Sequence, residues 1–497
     1  MASSRPNVVL IFSDNHPAVM MGCSGNADAH TPNLDRLAAG AARFSHAYCP
    51  NAMCSPCRAS VLTGLMPSQH GLHTWLDDGE VENWPENWNA VLEFDTLPEK
   101  LARIGYDTAL IGKYHLGLVD APQNDFREWV TLQRGHFDAF EDNDMIDNGK
   151  RLRWPGHMVD FFTEKAVDYV ERRGEEPDTP FFLFFTQPAP LGLWPPLKGE
   201  PTNRFAEVFR GKPMDSVPRE GVSSEVVEWM LVRHDEMPDD HPGYYKDVAR
   251  QANDVPTIRN YFSQMAMVDD GVGQVLDALE RTGAAENTLV IYTSDHGMSL
   301  GTHGFWGHGE DSWPSNCHKE SHHIPLIVKP PKGSAGDGAQ VIDRFAGTTD
   351  IFATVLDYAG AEPPSDDAAR ARSLRPLLEG KAVEWDDAIF MEQEETRAVR
   401  TDKWLYMKRF QSERWPFPDA LFDLENDPDE RNDLATDPEY AAVIAELSER
   451  IDGFFAEHSN PDWDLWRGGR VKSNSTRPFL WKHAWGDNWA PLTPTDT

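Results

Sequence analysis

Val8-Val9-Leu10-Ile11-Phe12-Ser13-Asp14-Asn15 begins with five consecutive apolar residues and ends on a carboxylate and an amide. An apolar run without alternation is what a strand of a parallel sheet carries when helices cover both of its faces. Four similar runs follow, at Thr108 to Ile111, Phe181 to Phe185, Leu289 to Thr293 and Ile324 to Val328. Between them, Leu97, Leu101 and Ile104, and again Val268, Val272, Val275, Leu276 and Leu279, recur with helical spacing. The predicted fold is therefore α/β: a large mixed, mostly parallel and doubly wound sheet sandwiched by helices. Three of the runs end in polar groups: Asp14 and Asn15, Lys113 and His115, Asp295 and His296. Ligands of open parallel sheets bind beyond the carboxyl ends of the strands, so these pairs are expected to converge.

The chain has 497 residues, too many for one ordinary core, so a main domain with a smaller companion is expected. Residues 1–370 read as the main domain, with a proline-rich, highly charged insertion over 196–260. A linker, Ala359 to Ala371, precedes a small α+β domain over 371–497. That domain combines short strands (Ala388 to Met391, Ala398 to Arg400, Trp404 to Met407) with a helix, Pro438 to Phe455. Its tail carries Trp463, Trp466, Trp481, Trp485 and Trp489, which are expected to pack on the body.

A formal charge of -35 repels nucleic acid and anionic membranes, so neither partner is expected. Any anionic substrate must then meet a local basic pocket. The N-terminal apolar run is too short for a secretory leader, and no stretch is long enough to span a bilayer. Five scattered cysteines form no disulfide framework, and a cytoplasmic location is the expectation.

Cys54-Ser55-Pro56-Cys57-Arg58-Ala59-Ser60 is the most informative segment for chemistry. It places a thiol near a guanidinium, ahead of a helical pattern from Ala59 to Leu65 whose N-terminus favours an anion. A redox Cys-x-x-Cys pair and an iron–sulfur site using Cys49, Cys54 and Cys57 are the competing readings. The latter needs a fourth cysteine, and the next one downstream is the remote Cys317.

Cys-x-Pro-x-Arg followed by Ala-Ser resembles the core motif of the type I, formylglycine-dependent sulfatases of the alkaline phosphatase superfamily. The resemblance extends through Pro6 to Ile11 with Asp14, Thr31-Pro32-Asn33-Leu34-Asp35, Gly112-Lys113-Tyr114-His115-Leu116-Gly117, Thr293-Ser294-Asp295-His296-Gly297 and Leu421 to Pro428. It implies hydrolysis of a sulfate ester on a small molecule or carbohydrate, with Cys54 converted to formylglycine by a dedicated modifying enzyme. It also implies that Asp14, Asn15, Asp295 and His296, with the modified Cys54, hold one divalent ion. These mostly hard oxygen donors suit calcium, or magnesium or manganese, better than zinc. By the same resemblance Arg58 steadies the modified residue, Lys113 binds a sulfate oxygen and His115 accepts a proton.

The chain departs from the family pattern twice. Leu191 stands where the family usually has a histidine, and His308 where it generally has a lysine. His308 is expected to replace that lysine, with Lys319 as the alternative. The other histidines of the cluster, His303, His318, His322 and His323, fit no compact zinc motif and read as polar loop residues. Trp75, Trp84, Trp88 and Trp194 are candidates for stacking on a sugar or aryl ring. The rival functions are a phosphonate monoester or phosphodiester hydrolase of the same superfamily and a non-catalytic binding homologue. The oligomeric state, including a homo-oligomer, stays open.

Overall fold

The computed structural model describes residues 5–76, 83–192, 196–228, 253–363, 370–472 and 477–492. Trp194 lies outside them. Ten strands form one sheet: β1 (Asn7–Asp14), β2 (Ala42–Tyr48), β3 (Asp107–Gly112), β4 (Glu128–Leu132), β5 (Glu141–Asp147), β6 (Lys150–His157), β7 (Phe181–Pro190), β8 (Thr288–Ser294), β11 (Leu326–Lys329) and β12 (Gln340–Gly347). A short hairpin, β9 (Ser299–Leu300) and β10 (Trp306–Gly307), lies between β8 and β11 in the chain. The sheet order is β12-β2-β11-β8-β1-β7-β3-β4-β5-β6. Its centre, β8-β1-β7-β3-β4, is parallel, whereas β11 runs antiparallel to both neighbours and β5 and β6 form an antiparallel edge. The sheet is thus mixed and mostly parallel in its core, as expected.

Every predicted apolar run overlaps a strand, the last only from Leu326 onward, and β1 shows why. Val8, Leu10 and Phe12 face one core with the helices Cys54–Thr63, Leu97–Arg103 and Thr348–Ala359. Val9 and Ile11 face the other, with Pro32–Ala38, Met158–Gly174 and Val255–Thr282. All five are fully buried, so truncating one to alanine costs on the order of 3 kcal/mol. The helix over Val255–Thr282 starts where the Asp254 carboxylate accepts from the Thr257 N–H and stops at Gly283 in the left-handed region, φ 74°. It therefore takes in the last residues of the expected 196–260 insertion. The described parts of that insertion, 196–228 and 253–260, contribute no strand, but Leu197, Phe209, Met214 and Val217 join the core.

A second, antiparallel sheet orders β13 (Ala388–Gln393), β14 (Thr396–Thr401), β15 (Trp404–Arg409) and β16 (Ala420–Asp423). The helix Ala441–His458 covers one face through Leu447, Ile451 and Phe455, at helical spacing. The other face meets Tyr48, Cys317 and Phe345 of the main body. Trp481 and Trp489 are buried with Trp313, Phe417 and Leu465, while Trp485 stays 40% exposed. Among the described residues, no helix is long and apolar enough to cross a membrane.

Candidate active site

Strand register builds the site. Ser13 of β1 pairs with Ser294 of β8, so Asp14-Asn15 and Asp295-His296 leave adjacent strand ends side by side although 280 positions separate Asn15 from Asp295. The Asn15 N–H donates to Asp295 Oδ1 at 3.0 Å. On the other flank Gly112 of β3 pairs with Thr186 of β7, and the Lys113 N–H donates to the Thr186 carbonyl at 2.9 Å. A Cβ at Gly112, where φ is 127°, would lie 1.8 Å from that carbonyl oxygen, so only glycine lets the chain turn here. The Cys54–Thr63 helix, all ten residues of it buried, closes the site from one face. It starts at Cys54 itself, ahead of the expected Ala59 to Leu65 pattern. Ser55 and Pro56 fit because residues in the first turn need no intrahelical acceptor. Cys54 thereby sits at the positive end of the helix.

Around Cys54 Sγ lie Lys113 Nζ at 3.5 Å, His296 Nε2 at 3.5 Å and Asp14 Oδ1 at 3.9 Å. Arg58 Nη2 donates to Asp14 Oδ2 at 2.8 Å and to Asp295 Oδ2 at 2.9 Å, while Nη1 donates to the Lys113 carbonyl at 2.8 Å. Lys113 Nζ lies 2.8 Å from Asp14 Oδ2. All these side chains are buried, so each charge depends on its partners. Burial works against the charge on Arg58 and Lys113, yet Asp295 and Asp14 push Arg58 up, and Asp14 and Cys54 do the same for Lys113. Burial likewise opposes ionisation of Asp295, but Arg58, Lys113 and the Asn15 N–H hold its carboxyl below the usual range. The Cys54 thiol goes the other way: burial and then Asp14 push it well above the ordinary cysteine value, against Lys113.

The donor set suits a cation. His296 Nδ1 lies 2.8 Å from the Gly297 carbonyl, which places its proton on Nδ1 and a lone pair on Nε2. One terminal atom of the Asn15 amide faces Asp14 Oδ1 at 2.6 Å and His296 Nε2 at 3.2 Å. It is the NH2 group donating to both, and with a divalent ion bound the amide would turn its oxygen to the ion. Cys54, Asp295 and His296 also present ligand atoms all within 4.8 Å of one another. Carboxylates, an amide and an imidazole on two adjoining strand ends thus fit one ion.

The remaining predicted residues are placed unequally. His308 lies at the site, its ring 4.9 Å from that of His296 and its Nδ1 3.0 Å from Asp311 Oδ2. Burial lowers its pKa, so it is a neutral imidazole where the family pattern has a cation. Lys319 is turned away, donating to the Pro428 carbonyl and to Asp429 Oδ1, both at 2.6 Å. His115 is tied to the helix through its carbonyl, which accepts from Ser55 Oγ at 2.9 Å. Its Nε2 lies 2.9 Å from the Leu76 carbonyl, which leaves Nδ1 as the basic nitrogen of the neutral ring. Leu191 is buried in the core and supplies no polar group. His303 stacks on His318 at 4.0 Å, and His318 Nδ1 contacts Glu430, whose other oxygen takes a hydrogen bond from Arg400. His322 and His323 are held by the carbonyls of Cys49 and Ser45. Trp84 and Trp88 stack on each other at 3.7 Å and are buried, whereas Trp75 is only half-buried.

A protein-family model described as Sulfatase matches residues 6–361. The chain belongs to the sulfatase family. A second model, N-sulphoglucosamine sulphohydrolase C-terminal, matches residues 309–457 of this sulfatase, across the second sheet. The N-acetylglucosamine-6-O-sulfatase of Bacteroides thetaiotaomicron is 27% identical, over 94% of this chain and 90% of that one. A solved structure of a protein in complex with its substrate D-glucosamine-2-N,6-O-disulfate superposes with a TM-score of 0.70. It is 24% identical and covers 91% of this chain and 98% of its own. The phosphonate monoester hydrolase of Agrobacterium radiobacter has the same fold, with a TM-score of 0.65, 22% identity and coverage of 91% and 96%. This protein is a sulfuric ester hydrolase of the alkaline phosphatase superfamily.

Sequence reasoning missed several residues that shape the sulfatase site. Glu310 accepts from Thr74 Oγ1 and Trp75 Nε1, both at 3.0 Å, and so ties the segment before Leu76 to the His308 loop. Gly135 lies against His115: a Cβ there would fall 2.0 Å from His115 Cδ2. Arg477, from the tail, donates to the Glu310 and Ser312 carbonyls. No local pattern marks any of the three, because each acts through a contact distant in sequence.

Proposed function

We propose that this sulfatase releases sulfate from a sulfated saccharide, using a formylglycine made from Cys54 beside one divalent ion, calcium by preference. The carrying observation is the state of position 54. An unmodified thiol pushed up by burial and by Asp14 is a poor nucleophile at neutral pH, yet it sits where two cations and a helix N-terminus await an anion. Conversion to a hydrated aldehyde supplies an oxygen nucleophile at that point, and a formylglycine-generating enzyme is the required partner. Asp14, Asn15, Asp295 and His296 would hold the ion, which supplies a fixed positive charge for the sulfate oxygens.

The chain's own groups do the rest. Lys113 offers its ammonium to a sulfate oxygen, and Arg58 holds the Asp14 and Asp295 carboxylates in place. His115, through Nδ1, takes up the proton released when the second oxygen at position 54 expels sulfate. His308, whose Nδ1 faces the Asp311 carboxylate, stands beside His296 and would donate toward the sulfate or the leaving oxygen from Nε2 only once it has taken up a proton. The saccharide assignment draws on the glucosamine sulfates named for two of the similar proteins.

The test is a panel of a 6-sulfated N-acetylhexosamine, an aryl sulfate, a phosphonate monoester and a phosphodiester, with sulfate or alcohol release measured. Mass spectrometry of the peptide spanning Cys54 accompanies it. Fastest release from the sulfated sugar, with an aldehyde at position 54, is expected. An unmodified thiol in fully active protein, or faster turnover of the phosphorus compounds, overturns the reading.

A further inference from the structure

A hairpin turn of the small domain lies directly behind the reacting groups. Glu394 and Glu395 join β13 to β14, and Gln393, Glu394, Glu395 and Thr396 are all buried. Turns ordinarily run over the surface, where water satisfies their polar groups. This one is polar and enclosed, and Glu394 has φ 46°, a left-handed conformation that a non-glycine residue keeps only when its surroundings hold it there. The tail supplies that hold: the Arg477 N–H and Trp481 Nε1 donate to Glu394 Oε2 at 3.1 and 3.0 Å.

One side of the turn carries the segment that leads into position 54. The Glu392 N–H donates to the Pro50 carbonyl at 2.8 Å, Asn51 Nδ2 donates to the Glu392 carbonyl at 2.9 Å, and the Ala52 N–H donates to Gln393 Oε1 at 3.1 Å. Ala52 is followed by Met53, the N-cap of the helix that starts at Cys54. The other side carries the loop that leaves His308. The Ser315 N–H donates to Glu395 Oε1 at 2.7 Å, Ser315 Oγ donates to the Gln393 carbonyl at 2.5 Å, and the Asn316 N–H closes the loop on the Gly309 carbonyl at 2.8 Å. Gly309 itself rests on the Gln393 side chain, for a Cβ there would fall 2.5 Å from Oε1. One amide oxygen thus touches both segments.

We propose that Gln393 is a positioning residue for sulfate release, its side chain setting the separation between the nucleophile at position 54 and His308. The inference rests on the roles given above to those two positions. Without the amide oxygen, the Ala52 N–H is left in a buried setting with its hydrogen bond broken, and the segment shifts to find another acceptor. The start of the Cys54 helix moves with it. Gly309 loses the surface on which it is seated, and His308, one residue before it, is freed to drift. The small domain therefore acts on the reaction through the two segments that it holds in register.

Gln393→Met keeps the length of the side chain and removes its oxygen. Rates are measured on whichever ester of the panel the wild-type protein cleaves fastest, between proteins matched by mass spectrometry in the state of position 54. kcat is expected to fall at least about tenfold with KM within about threefold, since a reacting group misplaced by about 1 Å loses at least that much and ground-state binding is untouched. The milder Gln393→Asn, which withdraws the same amide by one methylene, is expected to lose about threefold or more. Leu447→Ala loosens the same sheet from its helix-covered face, and it is expected to lower the melting temperature while kcat stays within about twofold. Wild-type kcat in folded Gln393→Met or Gln393→Asn protein, or an equal fall in Leu447→Ala, overturns the positioning role. A wild-type protein that is fully active with an unmodified thiol, or fastest on a phosphorus ester, overturns the proposed function instead, and the same comparison of kcat values still decides on Gln393.

Discussion

Lys113 and Asp14 form an ion pair of 2.8 Å in which both side chains are fully buried. Such a pair gains little stability overall, because removing two charges from water costs several kcal/mol per ion. Its value lies in holding an ammonium 3.5 Å from Cys54 Sγ with no reorganisation left to make. Lys113→Met is therefore expected to lower kcat by about a hundredfold or more. Arg58 continues to neutralise Asp14, so the fold should survive, with a loss of no more than about 3 to 5 kcal/mol. Steady-state kinetics and denaturant unfolding check both parts. Unchanged kcat would remove Lys113 from the reaction.

Gly135→Ala tests the packing behind His115. The new methyl group would meet Cδ2, Cγ and Nε2 of the ring, the first at 2.0 Å, and has to displace them. The ring would then lose its hydrogen bond to the Leu76 carbonyl, and with it the tautomer that leaves Nδ1 basic. At least about a tenfold fall in kcat is expected, since misplacing a catalytic group by about 1 Å is that costly. Wild-type rates in a well-folded variant would show that His115 has no positional demand.

Chelation should abolish activity and lower the melting temperature, since a ligand that binds only the folded state stabilises it by mass action. Calcium, magnesium or manganese should restore both. Full activity after exhaustive chelation, verified by elemental analysis, would remove the ion from the reaction.

Acid should destabilise the protein in a definite window. His73, His157 and His322 are lowered to about 4 and His323 to about 3, in each case mainly by burial. Well above their ordinary value of 6.5 these residues are neutral in both states and contribute nothing. As pH falls from there toward the folded values, the unfolded chain takes up protons that the folded one refuses, and stability is lost. Glu392, raised by burial to about 7, acts in the opposite sense between pH 7 and its ordinary value of 4.5. Asp269, raised by burial to about 6, acts in the same sense as Glu392, while His16, lowered by burial to about 3, adds to the loss; two carboxyls are thus set against five imidazoles, and each pH unit that separates folded from unfolded titration is worth about 1.4 kcal/mol. The net is a loss, so the melting temperature should fall between pH 6.5 and about pH 5. A flat or rising profile would contradict the buried, neutral state of these histidines.

Four central strands, β1, β3, β7 and β8, were legible because burial on both faces leaves an unbroken apolar run, as in Val8 to Phe12 and Leu289 to Thr293, whereas β4, which mixes Glu128 and Thr131 with apolar residues, was not. The strands β5 and β6 were not, because an edge hairpin that faces water carries the polar composition of a loop. The Ile324 to Val328 run was correctly an element, but nothing in it encodes that β11 lies antiparallel between β8 and β2. Strand direction is settled by how the chain returns across the sheet, a property of connections and not of the strand itself.

By itself, the sequence determined which residue types gather at strand ends: a thiol near a guanidinium, carboxylates with an imidazole, and a lysine two positions from a histidine. Those identities follow from local patterns and survive any rearrangement elsewhere. Only tertiary structure turned Lys319 away while leaving His308 beside His296, because Asp429 and the Pro428 carbonyl, more than a hundred positions along the chain, capture the lysine. It likewise decided the tautomer of His115, the seating of Gly135 and the bridging by Glu310. Hydrogen bonds and steric contacts act over a few ångströms of space whatever the separation along the chain, so a linear string carries the donors and acceptors but not their pairing.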